Sequence, residues 1–459
     1  MLPFVLPATV PPNLAAWEAL RDDRRELSGP ERTIESDDGM FLVHYTTEGV
    51  DAAAGDEVAG HPDLVWGVLQ GLLDGRLAFE DRGYRGLVGD TGLGGSTQID
   101  VYIRDIDANG YAYPETPGDP SATGSSCYIE IDANLDVGEV PDSVTAHELH
   151  HCVQYRYTTS SESWIYEATA TFEQYRVYRD PVLDLALGVL WVERLSRPDR
   201  SHNDLSGRYE YAGMVFLKWW EEFGGADPGR VVRLWEALSD EPIWQVTLDT
   251  EAELNWDLSW DEAFVEYAVW NAFACARDDG DHYQDLLACN IEVQVPALVL
   301  QADEEFAIDL PELDYSAMYA RFDPGADRRP VRLECDEFAT YADMDVQLFA
   351  LDSGGQIAEQ SRDYANGEFD EELDVRLQAE LPAGGSVLAV FASVGRAPLD
   401  TLCTVSRVDA VVEEPESQCA CASVQPAHGW LWLVACTAFL RRRHTRDGNA
   451  PVSPGTDVS

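Results

Sequence analysis

Residues 145–155 read Thr-Ala-His-Glu-Leu-His-His-Cys-Val-Gln-Tyr, and His147, Glu148 and His151 form an H-E-x-x-H pattern within them. On a helix, positions i and i+4 share a face, so both imidazoles can reach one ion. Neutral imidazole suits zinc, and two such ligands leave room for a third ligand and a water. Glu148 stands beside the pair. Its carboxylate can take a proton from that water, whose pKa zinc lowers towards neutrality, and help it attack a carbonyl. The third ligand is expected from the run Ser163-Trp-Ile-Tyr-Glu-Ala-Thr-Ala-Thr-Phe-Glu173, in which Glu167 lies sixteen residues after His151. A helix, a short loop and a second helix bring that carboxylate back to the metal, and the small Ala168 and Ala170 would let the two helices approach closely.

Several neighbours need a reading of their own. His150 points about 100° away from His151 around the helix and reads as structural or supporting, not as a ligand. Glu173 could orient a ligating imidazole or stand as a solvated carboxylate. Cys152 as a free thiolate would compete for the metal, and a disulfide to Cys127 would remove that competition. A developing oxyanion needs a donor besides the metal. His202, Tyr209 and Tyr211 are the candidates, with Tyr211 first.

The elements that must position these groups follow from periodicity. Met40 to Tyr45 reads as a strand. Apolar Leu64, Val65, Val68, Leu69, Leu72 and Leu73 give an amphipathic helix over His61 to Phe79. Alternation predicts strands at Gln98 to Ile103 and Ser126 to Asp132. The motif helix starts at an N-cap at Asp142 or Ser143 and runs to about Tyr155, anchored by Val144, Leu149 and Val153. The preceding strand could offer its edge to an extended peptide. A second helix begins near Ser161 or Ser163, and helical patterns continue through 209–238 and 260–276. Trp191, Trp219, Trp220, Trp235, Trp244, Trp256, Trp260 and Trp270 crowd this stretch and are expected to pack a core. After residue 291 short runs such as Pro296 to Leu300, Val331 to Glu334, Val346 to Ala350 and Ser386 to Ala392 predict a small all-β sandwich.

The expected organisation is α+β. An N-terminal arm or pro-segment spans 1–60, a zincin-like domain of mixed sheet and active-site helices 61–290, and a β-sandwich 291–410. A linker at 411–418, a C-terminal signal at 419–445 and a tail at 446–459 follow. The formal net charge is −53, from 84 acidic against 31 basic residues. Such a field repels phosphate, so nucleic acid is excluded as a partner. Of nine cysteines, six precede the tail and none of these lies in a C-x-x-C. The pairing expected from proximity is Cys127–Cys152, Cys275–Cys289 and Cys335–Cys403, one of about fifteen connectivities. Met1 to Val10 is apolar but short, with two prolines and no basic start, and is not assigned as a secretion signal.

Two further segments stand out. Asp105, Asp107, Asn109 and Gly110 match the start of a calcium-binding loop, but Thr116 occupies the twelfth position. A tight polar turn is the preferred reading over a Ca2+ site. Cys419-Ala-Cys421, the apolar run Trp430 to Leu440 and Arg441 to Arg443 read as a processing and anchoring signal. The run is too short for a comfortable span of about 20 residues.

The helix His147-Glu-Leu-His-His-Cys-Val-Gln154, followed by Trp164-Ile-Tyr-Glu167-Ala-Thr-Ala-Thr-Phe-Glu173, resembles the gluzincin-type metalloproteases of myxobacteria and their relatives. Ile99-Asp-Val-Tyr-Ile103 and Gly110-Tyr-Ala-Tyr-Pro114 resemble that family's lead-in, and the likeness covers roughly residues 40–280. The tail resembles the MYXO-CTERM sorting signal of exported proteins. The resemblance implies a zinc peptidase that acts on protein or peptide substrates and is exported. Its tail would engage membrane and sorting machinery before it is lost, leaving the enzyme at the cell surface. Carried over by position, His147, His151 and Glu167 bind zinc and Glu148 is the base. Ala168 departs from the glycine that often follows the third ligand, and the unassigned N-terminus departs from an exported protein. A different class of function, a surface binding or adhesion protein with an inactive zincin-like domain, leaves the intact Glu148 without a purpose. A purely structural zinc site would close all four positions, whereas one is open here.

Overall fold

Alternating apolar residues build the first layer. The computed structural model describes residues 26–90, 92–115, 124–135, 141–179, 181–275, 280–283, 297–301, 304–307, 315–323, 329–338, 343–366, 373–395 and 402–407. Strands β1 (Arg32–Glu35) and β2 (Phe41–Tyr45) precede a two-strand ribbon, β3 (Glu57–Val58) and β4 (His61–Pro62), and helix α1 (Asp63–Asp81). Then come β5 (Ile99–Arg104), β6 (Gly110–Pro114) and β7 (Cys127–Asp132). The sheet order is β1-β2-β5-β7-β6. Strands β2, β5 and β7 run parallel, and β6 lies antiparallel to β7 at one edge, so the strand before the motif helix, expected to offer its edge, is paired on both sides and the edge belongs to β6. Phe41, Val43 and Tyr45 are fully buried in the core. Residues 32–45, expected within an N-terminal arm, therefore supply two strands of this sheet: the inward side chains of β2 need the cover of the sheet and α1, and the largely exposed β1 follows by pairing with β2.

Helices α2 (Pro141–Gln154) and α3 (Ser163–Val177) carry the chemistry-bearing residues. Nearly every residue of α2 is buried; it lies among α1, the β6–β7 edge and α3. The contact with α1 depends on Gly67, Gly71 and Gly75, spaced every four residues along one helix face. A Cβ on Gly67 would lie 2.6 Å from Pro141 Cγ, one on Gly71 2.3 Å from the Asp142 carbonyl oxygen, and one on Gly75 3.2 Å from Leu149 Cδ2. The stripe thus lets two helix backbones meet where side chains would hold them apart.

The pattern over 209–238 is broken into α5 (Tyr209–Ala212), α6 (Met214–Glu222) and α7 (Arg230–Asp240). Gly224 and Gly225 adopt positive φ after α6, a left-handed stop that a continuous helix cannot pass. The expected helix over 260–276 ends at Ala272, as α9 (Trp260–Ala272). Two helices were not anticipated, α4 (Pro181–Ser196) and α8 (Trp244–Trp256). The tryptophans do pack the core: Trp191, Trp219, Trp220, Trp235 and Trp244 are fully buried.

The β-rich part contains β8 (Leu298–Leu300), β9 (Glu304–Ala307), β10 (Ser316–Phe322), β11 (Val331–Phe338), β12 (Asp343–Leu351), β13 (Ile357–Asn366), β14 (Leu373–Ala379), β15 (Ser386–Ser393) and β16 (Leu402–Arg407). They form two sheets, β13-β12-β15-β10-β8 and β14-β11-β16-β9. Along β15, Val387, Ala389 and Phe391 point to the second sheet, whereas Leu388, Val390 and Ala392 join the helical core. Burial on both faces accounts for its unbroken apolar run. Cys335–Cys403 joins directly paired residues of β11 and β16, and Cys127–Cys152 joins β7 to α2. Cys275 is disulfide-bonded, and Cys289, its expected partner, lies outside the described residues. So do residues 1–25, the linker and the C-terminal signal. No helix among the described residues is long and apolar enough to cross a membrane.

Gly71→Ala should destabilise the protein by roughly 1–3 kcal/mol, the usual penalty of overpacking. Gly86→Ala meets nothing within 4 Å and should stay within about 0.5 kcal/mol of wild type. Denaturant midpoints of the two variants, measured side by side, check this.

Candidate metal centre

His147 and His151 lie one helical turn apart on α2, with ring centroids 4.9 Å apart and planes at 83°. Glu167 projects from α3 so that its Oε2 lies 3.3 Å from His147 Nε2 and 3.5 Å from His151 Nε2. The three donor atoms lie within 4.8 Å of one another, and the group could hold a metal ion. A tetrahedral ion with bonds near 2.0–2.1 Å has donor–donor edges of about 3.3 Å, so the two measured edges suit a small dication. Two imidazoles and one carboxylate form a donor set that zinc accepts. Glu148, next to His147, is buried with its Oε1 unpartnered, which also fits a site that receives a further charged or polar group.

Of two glutamines that the motif did not single out, one braces an imidazole and the other ties α3 to α2. His151 Nδ1 meets Gln154 Oε1 at 2.7 Å, and Gln154 Nε2 donates to the Tyr166 carbonyl at 2.8 Å. Because the carboxamide oxygen only accepts, Nδ1 of His151 carries the hydrogen and Nε2 presents its lone pair to the centre. The Gln154–Tyr166 bond also ties α2 to α3 beside the ligands. Gln174, two turns along α3 from Glu167, donates its Nε2 to Ser143 Oγ at 2.8 Å. Its carboxamide also favours the charged form of His147, although Nδ1 of that ring has no partner at full hydrogen-bond geometry. The sequence signal for both was present: Gln154 follows His151 by three residues and Gln174 follows Glu167 by seven, spacings that share a helix face.

The electrostatics follow from burial and proximity. Burial works to raise the Glu167 pKa, but the His151 charge and hydrogen bonds from both imidazoles bring it down to about 2. Burial works to lower the His151 pKa, and the Glu167 carboxylate outweighs it, raising that ring to about 9. His147 is pushed down by its own burial and by the charge on His151. Glu148 is raised to about 8 by burial, with Glu167 adding to the effect and His151 opposing it. As protein alone, the centre therefore stores a proton on His151 opposite the Glu167 anion.

Of the three expected oxyanion donors, Tyr211 alone stands at this centre. Its ring is 6.1 Å from that of His147. Burial, with the charges of Glu167, Glu210 and Glu148, pushes its phenol pKa upward and keeps it a neutral donor. His202 instead sits in an aromatic box that includes Trp164, Phe216 and Trp244. Tyr209 donates to the Arg197 carbonyl. His150 packs edge-on between Phe79 and Tyr84. Glu173 is not beside an imidazole. It is fully buried and takes Arg82 at 2.7 Å, Tyr84 at 2.9 Å and Arg176 at 3.1 Å, so it locks the end of α1 onto α3. Ala168 makes room for Gly213, whose Cβ would lie 2.8 Å from it, and so admits the α5–α6 junction that carries Tyr211. Glu210, one residue earlier, was not anticipated. It accepts from Ser163 Oγ at 3.2 Å, and burial followed by the Glu167 charge raises it to about 8.

Gly110, at the start of edge strand β6, touches Glu148. A Cβ there would lie 2.6 Å from Glu148 Cγ. The neighbouring Asp105–Gly110 segment is a polar turn: Asn134 donates to Asp105, and Tyr111 donates to Asp107. Among the described residues His147, His151 and Glu167 form the one group of metal-ligating type.

No family model matches the chain, and no curated protein matches it. Solved structures give partial likenesses. The pre-peptidase C-terminal domain of a collagenase from Bacillus anthracis covers 24% of this chain and 93% of its own, at 13% identity and a TM-score of 0.17. A family 35 carbohydrate binding module from an environmental isolate covers 22% and 77%, at 10% identity and a TM-score of 0.16. A family GH115 4-O-methyl-alpha-glucuronidase covers 58% and 42%, at 12% identity and a TM-score of 0.17. Values this low establish neither a shared fold nor a shared activity.

Because a metal must displace the proton on His151 and favours the anions of the buried Glu148 and Glu210, ion binding should release at least one proton near neutral pH. Apparent zinc affinity should rise by at least about tenfold per pH unit from pH 6.5 and level off above about 9. Chelator competition at several pH values checks the slope, and a pH-independent affinity would contradict it.

Proposed function

We propose that the chain is an exported zinc-dependent peptidase of the gluzincin type. Convergence of His147 Nε2, His151 Nε2 and Glu167 Oε2 carries the reading, with Glu148 beside them as general base. The mixed sheet, with its antiparallel edge strand next to the motif helix, supports a zincin-like catalytic region. Bound zinc would supply Lewis acidity to a water and to a substrate carbonyl.

The protein's own residues do the rest. The Glu148 carboxylate takes a proton from the attacking water and can deliver it to the leaving amine. A dication beside Glu148 favours its anion and so offsets the burial that raises its pKa. The neutral Tyr211 phenol donates to the oxygen on which charge develops. Gln154 holds the His151 imidazole to its task, and Gln174 ties the two helices through Ser143. An extended peptide adding along β6 would pass Gly110 and so run directly by Glu148.

Export is supported by the disulfides, which persist in oxidising surroundings. Cys127–Cys152 also removes a thiolate next to His151 that would compete for the ion. The resemblance of the C-terminal segment to a sorting signal adds surface display to the proposal.

Zinc content and hydrolysis of casein or mixed peptides test the reading. Glu148→Gln should keep about one zinc per chain while kcat falls by roughly 10²–10⁴. Tyr211→Phe should lower kcat by roughly 10²–10³ with KM little changed. A zinc-loaded wild type that cleaves no peptide, or a Glu148→Gln variant as active as wild type, would overturn the proposal.

A further inference from the structure

Arg194, in the last turn of α4, is one of the most deeply buried cations in the chain, with 4% of its surface exposed. Among the described residues no carboxylate lies within ion-pair distance of it. Its Nε donates to Tyr267 Oη at 2.9 Å, its Nη1 to the His202 carbonyl at 3.2 Å and its Nη2 to His202 Nδ1. A guanidinium has five N–H groups, and these bonds use three of them. Its face lies 4.5 Å from the Tyr209 ring centroid. The isolation is unusual in a chain with 84 acidic residues. Nearby Arg200 takes both Asp204 and Glu193, so its charge is already met.

The same guanidinium lines a small cavity where the helices meet β10. Tyr267, Asn271 and Tyr319 share the lining, and the interior leaves room for about one sphere of water size. Two of these lining groups still have hydrogens to give. Tyr267 Oη accepts from Arg194, so its own hydrogen points elsewhere. Asn271 Oδ1 accepts from Tyr283 at 2.7 Å, which leaves its amide hydrogens as donors. Tyr319, by contrast, is committed to the Ala268 carbonyl. The C-terminal dipole of α4 supplies only a fraction of a negative charge, and a buried unit charge without a counter-charge is costly.

We infer that this cavity binds a small monovalent anion of chloride size, held by Arg194, Tyr267 and Asn271. The anion neutralises the buried guanidinium and ties α4 to α9. The site is independent of the metal centre, and its test does not require catalysis.

The full-length protein is melted in sodium chloride and in sodium gluconate at equal ionic strength, so that screening and sodium are constant. Chloride should raise the wild-type midpoint by a saturable increment, and Arg194→Gln should lose that increment. Crystals soaked in sodium bromide should show an anomalous peak in contact with Arg194, a readout that stands even if Arg194→Gln does not fold. Identical melts in chloride and gluconate with no bromide peak at Arg194 would overturn the inference. So would a rise with sodium acetate but none with chloride, which would assign the cavity to a carboxylate.

Discussion

Three ionisable side chains from two helices are buried together, away from bulk solvent. Desolvating an imidazolium or a carboxylate costs several kcal/mol unless a partner of opposite charge, or a metal, takes the place of water. His147, His151 and Glu167 meet that demand only if their donor atoms converge to about the spacing that one small ion spans. The convergence requires α2 and α3 to be fixed relative to each other and to the sheet. Much of the surrounding structure serves this end. The glycine stripe of α1 seats α2, the Cys127–Cys152 bond pins it to β7, and Gln154 fastens it to α3 through the Tyr166 carbonyl. Glu173 then closes the far side by holding Arg82, Tyr84 and Arg176.

The electrostatic cost is not fully offset within the protein. Glu148 and Glu210 are both raised to about 8, each a carboxyl pushed toward its neutral form by burial and by Glu167. A dication among them would favour the anions again. In the proposed reading the ion, Glu148 as base and the phenol of Tyr211 depend on one another, and strongly perturbed carboxyls gathered in one place favour a functional reading.

The H-E-x-x-H pattern and the following carboxylate were legible because a helix converts sequence spacing directly into a shared face. The strands Ile99–Arg104 and Cys127–Asp132 and the helix over 63–81 were legible for the same reason. What was not legible depended on tertiary pairing. Nothing local says that Arg32–Glu35 is a strand, since its side chains are largely exposed and its partner β2 defines it. The run 209–238 keeps helical periodicity across Gly224 and Gly225, whose left-handed conformations end it. Glu173 read as orienting a ligating imidazole or as solvated because it lies on the right helix, yet Arg82 and Tyr84 reach it from a loop 89 to 91 residues away. Gln154 and Gln174 lay in plain view but carry no motif. Their role follows only once both helices are seen from the centre.

The most direct test is anomalous diffraction at the zinc edge from crystals of the full chain grown with zinc. One peak should lie about 2.0–2.2 Å from His147 Nε2, His151 Nε2 and a Glu167 carboxylate oxygen. No peak at these atoms, with Glu167 still pairing to the two imidazoles in the presence of zinc, would contradict the assignment.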